Sequence, residues 1–188
     1  KTVVTWQDVK NDGITLAGEH NRSNAALAVD ALQKITDEPA DKLHSLINDF
    51  PGTSRRFEKL ADNLYSDYAH HPEEISATLQ LARELSSRIA VVYQPHQNIR
   101  QHQLQYTDCF GLADKVYWLP TYLSREDPSL EILKPQDLAK DLPAEKVIFS
   151  HLDENLKNAI NTEIAEGKMV ILMGAGSIDD WAREQFIS

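Results

Sequence analysis

Residues 63–75 read NLYSDYAHHPEEI, in which a short apolar strand pattern ends at Asp67 and a helical pattern begins at Pro72. Proline is common at the first position of a helix, and the two glutamates that follow it are favourable near the positive end of the helix dipole. The same change from a short apolar run to a segment of helical period recurs along the chain. This alternation predicts an α/β domain with a mostly parallel sheet flanked by helices.

The apolar and β-branched runs predict six strands, and the segments between them predict six helices. The predicted strands cover residues 3–6, 63–67, 88–93, 115–119, 146–149 and 169–173. The predicted helices cover residues 23–36, 72–87, 98–110, 135–140, 153–166 and 178–186. Turn residues gather at 48–54, NDFPGTS, so we expect a leading segment before this stretch and one α/β domain after it.

The composition limits the classes of partner. The chain has 188 residues with 29 Asp and Glu against 19 Lys and Arg, and its formal charge of -10 would repel a nucleic acid backbone. No apolar run approaches the roughly 20 residues of a membrane span, and no signal segment opens the chain. The single cysteine, Cys109, fits a reducing compartment and is expected to be a small buried apolar residue. We therefore expect a cytoplasmic protein that binds neither nucleic acid nor membrane.

Polar side chains follow the predicted strand 63–67 at its carboxyl end, where ligands bind in open α/β sheets. Asp67 ends the strand, and Tyr68, His70 and His71 fill the turn before the helix. Adjacent histidines lack the spacing of a metal-binding pair, so no metal site is predicted. A ligand-binding turn and a helix cap with solvated histidines both remain open.

The strand predicted at 88–93 is also followed by polar residues, in YQPHQNIRQHQ at 93–103. His96 and Arg100 could hold a carboxylate there, because the planar guanidinium binds such anions with two parallel hydrogen bonds. The alternative is an amide-rich loop with a solvated cation.

Two further stretches carry weaker signals. MGAGSID at 173–179 has glycines at a strand-to-helix turn, which fit either phosphate contact or a tight turn, but it lacks the third glycine of a dinucleotide fingerprint. In GEHNRSNAALA at 18–28, Asn21 and Asn24 share a face near a helix start and could read the edge of a base. The alternative is that Asn21 or Ser23 caps the helix.

The stretches GEHNRSNAALA, FPGTSRRFE, SDYAHHPEEISATL, VVYQPH and MGAGSID occur in the order and approximate spacing of the Mur ligases, which the chain resembles from about residue 16 onward. The resemblance implies a Rossmann-like C-terminal domain at residues 50–188. It implies that residues 1–49 are a leading segment or the end of the central ATP-binding domain. The pattern is most similar to ligases that join L-alanine to UDP-N-acetylmuramate in peptidoglycan precursor synthesis, and next to those that attach a murein tripeptide in cell-wall recycling. Such ligases support cell wall biogenesis, cell shape and cell division.

The resemblance also implies separate roles for the candidate residues. The family block around the adenine of ATP corresponds to His20, Asn21 and Asn24. Arg56 corresponds to an arginine that reaches the nucleotide phosphates, and Asp67 to an aspartate that contacts the ribose hydroxyls. The amino-acid pocket corresponds to Tyr68, His70, His96 and Arg100. The candidate catalytic residues are Arg56, Asp67 and His70.

Two departures from the family pattern qualify these expectations. No GxxxxGK[ST] loop occurs in the chain, so the phosphate cradle and the Mg2+ ligands are expected in missing N-terminal and central domains, and the chain alone is expected to be inactive. Gln97 follows His96 where the alanine ligase pattern has an arginine, which puts L-alanine in doubt as the acceptor. A non-catalytic binding module of the same fold and a dinucleotide-binding domain using GAGSID remain as alternatives.

Overall fold

A computed structural model describes residue 5 and residues 9–187, which form two compact units that divide at Pro51. The first unit contains helices α1 (Glu19–Gln33) and α2 (Ala40–Asn48). Helix α1 begins four residues before the predicted helix 23–36, with Gly18 at the N-cap position. Helix α2 was not predicted, and the predicted strand 3–6 lies outside the described residues except for Thr5, which has no regular structure.

The second unit contains a single six-stranded sheet. Its strands are β1 (Glu58–Ala61), β2 (Leu64–Asp67), β3 (Ile89–Tyr93), β4 (Lys115–Trp118), β5 (Val147–Phe149) and β6 (Met169–Met173). The spatial order is β1-β2-β6-β3-β4-β5, and every pair is parallel except β1 with β2. The mostly parallel sheet is therefore confirmed. Strand β1 was missed, because its sequence EKLA has neither the apolar run nor the alternation that predicts a strand.

Helices cover both faces of this sheet. They are α3 (Pro72–Leu85), α4 (Asn98–Gln101), α5 (Pro135–Leu138), α6 (Glu154–Ala165) and α7 (Ile178–Phe186), with a short 3-10 turn at Ala144–Lys146. Side chains of α3 and of the segment 106–113 pack on one face, and those of α6 and α7 pack on the other. Strand β3 alternates between the two cores, because successive side chains of a strand point to opposite faces. Within the described part of the chain, no helix has the length and apolar character needed to cross a membrane.

The predicted helix 98–110 was wrong. Helix α4 ends at Gln101, and the chain continues as turns and irregular structure to residue 114. Tyr106, Cys109 and Phe110 are buried in the core beneath the sheet, although they do not lie on a helix. Burial of these side chains against β3 and β4 outweighs the local helical period, which is only a weak preference. Cys109 is buried, as expected.

A buried ion cluster lies near the amino ends of the parallel strands, opposite their carboxyl ends. Glu163 of α6 accepts hydrogen bonds from Lys115 at 2.5 Å, from Tyr117 at 2.6 Å and from Lys168. Burial alone would raise the pKa of Glu163, but these hydrogen bonds outweigh it and lower that pKa to about 2. The cluster therefore ties α6 to the amino ends of β4 and β6.

Candidate functional site

Asp67 lies at the carboxyl end of β2 and is almost fully buried. Its Oδ1 accepts hydrogen bonds from the backbone N–H of Ala69 at 2.8 Å and from the hydroxyl of Thr78 at 3.1 Å. Its Oδ2 accepts one from the backbone N–H of Phe57 at 2.8 Å. Burial raises the pKa of Asp67, and these three donors and nearby Arg56 partly offset that effect. A carboxylate oxygen accepts two hydrogen bonds, so Oδ2 retains capacity for one further donor.

Two arginines lie over the ring of Tyr68. The guanidinium of Arg55 lies 4.8 Å from the ring centroid, and that of Arg56 lies 5.3 Å from it. Arg55 donates to the carbonyl of Gly174 at 2.9 Å and pairs with Asp179 at 3.6 Å, so it joins this turn to the end of β6. Arg56 is exposed. Of the two, Arg56 is the one placed to meet an anion from solution.

His70 contacts both Tyr68 and Arg100. Its Nδ1 lies 3.0 Å from the carbonyl of Tyr68, and its Nε2 lies 3.3 Å from Nη1 of Arg100. Because a guanidinium only donates and a carbonyl only accepts, this pair of contacts assigns the neutral ring with its proton on Nδ1. Burial also lowers the pKa of His70. The same Nη1 lies 3.4 Å from Nε2 of His71, so Arg100 bridges the two adjacent histidines.

The turn that carries His70 is held by Glu74 in the first turn of α3. Oε2 of Glu74 accepts from the backbone N–H of His70 at 3.0 Å and of His71 at 3.3 Å. His71 is the N-cap residue of α3 and shares a capping box with Glu74, so the helix-cap alternative holds for this residue. Oε2 of Glu74 also lies 3.3 Å from Nδ1 of His70 and so contacts that ring as well as the backbone.

His96 lies in the loop after β3, beside His70. Its ring lies edge-on to that of His70 at 5.7 Å and stacks on Tyr122 at 5.8 Å with an interplanar angle of 9°. Burial lowers the pKa of His96. Its Nδ1 is buried and has no hydrogen-bond partner among residues 9–187. Two separate stretches of the sequence thus supply one contiguous group, which consists of Tyr68, His70, His96 and Arg100.

The glycine turn after β6 is filled by protein atoms. Oε1 of Gln94 accepts from the first backbone N–H of α7, that of Ile178, at 3.1 Å. A Cβ on Gly176 would lie 2.5 Å from both Oε1 of Gln94 and Cγ of Tyr122. Of the two alternatives left open for MGAGSID, this packing favours a tight turn over a phosphate or dinucleotide site.

Gly176→Ala is expected to lower the free energy of unfolding by about 2 kcal/mol, because the added methyl group overpacks the turn. Chemical denaturation monitored by circular dichroism measures this change. Gly111→Ala is the matched control, because its Cβ would meet only the carbonyl oxygen of Asp108 at 3.3 Å. Equal effects of the two substitutions would contradict the close packing at Gly176.

The candidate adenine residues lie in the first unit, on α1. Nδ2 of Asn21 donates to the carbonyl of Ala17 at 2.9 Å, and Asn24 is exposed. His20 is half-buried. Neither Asn21 nor Ser23 caps the helix, because α1 begins at Glu19. The suggested capping role of Asn21 or Ser23 was therefore wrong.

Several residues of this site were not predicted from sequence. Glu74 was assigned only to the helix dipole, and Gln94 and Tyr122 were not assigned a role. Arg55 joins Gly174 across 119 residues. Arg55, Gln94 and Tyr122 give no local signal, since their proximity to the glycine turn depends on the order of strands in the sheet.

Comparison with known proteins identifies relatives. Residues 55–176 match the family model described as Mur ligase, glutamate ligase domain. A UDP-N-acetylmuramate–L-alanine ligase of Jannaschia sp. (strain CCS1) is 35% identical, with 94% of this chain and 39% of that protein covered. The chain thus spans about 39% of the length of that curated relative.

Solved structures share the fold. The UDP-N-acetylmuramate-alanine ligase of Thermotoga maritima matches with a TM-score of 0.63 and 23% identity, covering 91% of this chain and 38% of that one. The folylpolyglutamate synthase of Mycobacterium tuberculosis complexed with ADP matches with a TM-score of 0.64 and 16% identity, covering 93% and 42%.

Proposed function

Because this chain belongs to the Mur ligase family, we propose that it is the C-terminal part of an ATP-dependent ligase that joins L-alanine to UDP-N-acetylmuramate. The observation that carries the proposal is the convergence of Tyr68, His70, His96 and Arg100 at the carboxyl edge of the sheet. Residues 50–188 would act as the domain that delivers the amino acid or peptide, which is the acceptor substrate of the ligation. Residues 1–49 would be a leading segment or the end of the ATP-binding domain. The reaction would take place in the cytoplasm, where ATP is available.

The proposed chemistry forms an amide in two steps. The γ-phosphoryl group of ATP passes to the carboxylate of UDP-N-acetylmuramate and gives an acyl phosphate and ADP. The amine of the amino acid then attacks the acyl carbon, the new C–N bond forms, the C–O bond to phosphate breaks, and the amine loses a proton. Such a reaction depends mainly on positioning and on charge stabilisation.

The geometry supports distinct roles on the nucleotide side. Exposed Arg56 can meet the phosphates, and the remaining acceptor capacity of Oδ2 in Asp67 suits a ribose hydroxyl. By resemblance to the family, His20, Asn21 and Asn24 would surround the adenine. No group of three or more His, Cys, Asp or Glu side chains among the described residues is arranged to hold a metal ion. We propose that the ligands of Mg2+ and the phosphate loop belong to the part of the ligase outside this chain.

On the acceptor side, the neutral ring of His70 and the cation of Arg100 offer complementary groups. Arg100 can pair with the carboxylate of an amino acid, and the half-buried ring of His96 would line the same pocket. His70 would lie beside the attacking amine. Tyr68 would form the wall of this pocket towards the nucleotide side.

One residue favours a second acceptor. Gln97 stands where the alanine ligase pattern has an arginine, so the pocket lacks one cation for a single amino acid. A murein tripeptide would supply contacts further along its chain. A ligation assay on the complete protein, with L-alanine and L-alanyl-γ-D-glutamyl tripeptide compared as acceptors, separates the two. Absence of ATP-dependent ligation with both would refute the proposed function and favour a non-catalytic binding module.

Arg100→Ala is expected to raise the KM for the acceptor at least tenfold, because a hydrogen bond to a charged group contributes about 1.5–3 kcal/mol. The KM for ATP is expected to change less than about twofold, since Arg100 contacts only the acceptor side in this proposal. Steady-state kinetics of the complete ligase measures both constants. Arg88→Ala is the control, since this half-exposed arginine lies beyond the amino end of β3. An equal effect on both KM values would contradict the assignment.

A further inference from the structure

A buried chain of polar contacts connects the two loops that carry His70 and His96. The hydroxyl of Tyr93 donates to the carbonyl of His70 at 3.1 Å and lies 3.0 Å from the hydroxyl of Tyr106. Tyr106 donates to Oε1 of Gln101 at 2.5 Å, and Nε2 of Gln101 donates to the carbonyl of His96 at 2.9 Å. The chain thus begins at one histidine backbone and ends at the other.

The three linking side chains are sealed from solvent. Tyr93 is fully buried, Tyr106 is 2% exposed and Gln101 is 3% exposed. Burial raises the pKa of Tyr106 to about 12 and also raises the pKa of Tyr93, so both phenols keep their protons at pH 7. Buried polar groups are costly unless they are hydrogen-bonded, and here each one has a partner inside the protein.

Two phenolic protons are available for three contacts, namely those with the carbonyl of His70, with Oε1 of Gln101 and between the two hydroxyl oxygens. At most two of the three contacts are therefore hydrogen bonds at one time. Removal of either hydroxyl therefore leaves an acceptor unpaired at one end. Because these side chains are buried, water can replace the missing partner only if neighbouring side chains move.

These contacts hold the backbone of the two loops and so determine the distance between the imidazoles of His70 and His96. His70 follows β2 and His96 follows β3, and β6 lies between those strands in the sheet. Strand pairing alone therefore does not join the two loops directly. Their rings nevertheless lie 5.7 Å apart, and the chain through Tyr93, Tyr106 and Gln101 fixes the backbone beneath each ring.

We propose that Tyr93, Tyr106 and Gln101 are positioning residues that set the spacing of His70 and His96 for capture of the acceptor. This inference rests on the proposed ligase function for its kinetic consequence. Its structural part concerns this chain alone. None of the three side chains needs to touch a substrate, because each acts through the backbone of a histidine loop.

The structural part is tested by NMR of this chain, with the imidazole resonances of His70 and His96 as the readout. Tyr93→Phe is expected to shift both sets of resonances. Tyr117→Phe is the matched control, because it also removes a buried tyrosine hydroxyl, one that bonds to Glu163 at the opposite edge of the sheet. Unchanged imidazole resonances in folded Tyr93→Phe would overturn the proposal.

The kinetic part is tested in the complete ligase. Tyr93→Phe is expected to raise the KM for the acceptor about fivefold while the KM for ATP stays within about twofold, a separation that general destabilisation would not produce. An acceptor KM no higher than that of Tyr117→Phe would overturn the proposal. If Tyr93→Phe does not fold, Gln101→Leu interrupts the same chain at its His96 end and is judged by the same criteria.

Failure of the proposed function is distinguishable from failure of this inference. A wild-type ligase that joins neither acceptor would refute the function. The NMR comparison of Tyr93→Phe with Tyr117→Phe would then decide the positioning role by itself.

Discussion

Asp67→Ala is expected to lower the free energy of unfolding of this chain by about 3 kcal/mol, at roughly 1 kcal/mol for each hydrogen bond lost. The carboxylate accepts from Phe57, Ala69 and Thr78, and it joins the turn before β1 to the turn before α3 and to the middle of that helix. Two of these donors are backbone N–H groups, and at this buried site they would be left without a hydrogen-bond partner. Urea denaturation measures the change.

The same substitution tests the nucleotide role. In the complete ligase, Asp67→Ala is expected to raise the KM for ATP at least tenfold, because the acceptor for a ribose hydroxyl is lost. Thr78→Val is the matched control. It removes one donor to Oδ1 and leaves Oδ2 in place, so it is expected to cost about 1 kcal/mol and to leave the KM for ATP within about twofold. A folded Asp67→Ala enzyme with unchanged KM for ATP and unchanged turnover would refute the ribose contact.

Glu163→Gln is expected to destabilise the chain by about 3 kcal/mol at pH 7, because Lys115 and Lys168 lose their shared carboxylate. The pKa of Glu163 is about 2 in the folded chain against an ordinary value of 4.5. Each unit of such a shift corresponds to about 1.4 kcal/mol, which gives the expected magnitude.

The pH dependence of this effect has a definite sign. A pKa that is lower in the folded state stabilises the fold above pH 4.5, and that contribution is lost as the pH falls from 4.5 towards 2. The difference between the wild type and Glu163→Gln should therefore shrink over the same interval, since protonated Glu163 resembles glutamine. Thermal unfolding between pH 7 and pH 3 follows this change.

Glu166→Gln is the matched control for Glu163. Glu166 also pairs with Lys168, at 3.0 Å, but its side chain is 52% exposed. Exposed ion pairs contribute little, so a change below about 1 kcal/mol is expected. Equal costs for the two substitutions, or a cost of Glu163→Gln that does not vary with pH, would contradict the buried cluster.

The sequence predicted the elements with a strong local period and missed those that depend on distant contacts. Predicted strands such as 169–173 and helices such as 178–186 agree with β6 and α7 at every residue. Helix 98–110 failed because Tyr106 and Phe110 are apolar for reasons of core packing and not of helical period. Strand β1 was missed because pairing with β2, and not its own composition, makes EKLA a strand.

The candidate site was predictable to the extent that it follows strand ends. Asp67, His70 and His96 were predicted because polar residues directly follow apolar runs. The links that hold them were not, since Tyr106 meets Tyr93 only after the segment 102–113 folds beneath the sheet. The role of Gln94 was likewise not predicted, because its Oε1 accepts from the backbone N–H of Ile178, 84 residues further along the chain.

The sequence by itself determined the alternation of strands and helices, the polar residues at each strand end and the resemblance to the Mur ligases, since these depend on neighbours in the chain. Only the tertiary structure decided which strand ends meet. Hydrogen bonds between strands join distant segments, and β6 lies between β2 and β3 although it is the last strand in the sequence. That order leaves the spacing of His70 and His96 to a buried chain of side chains, because no direct ladder connects the strands that carry them.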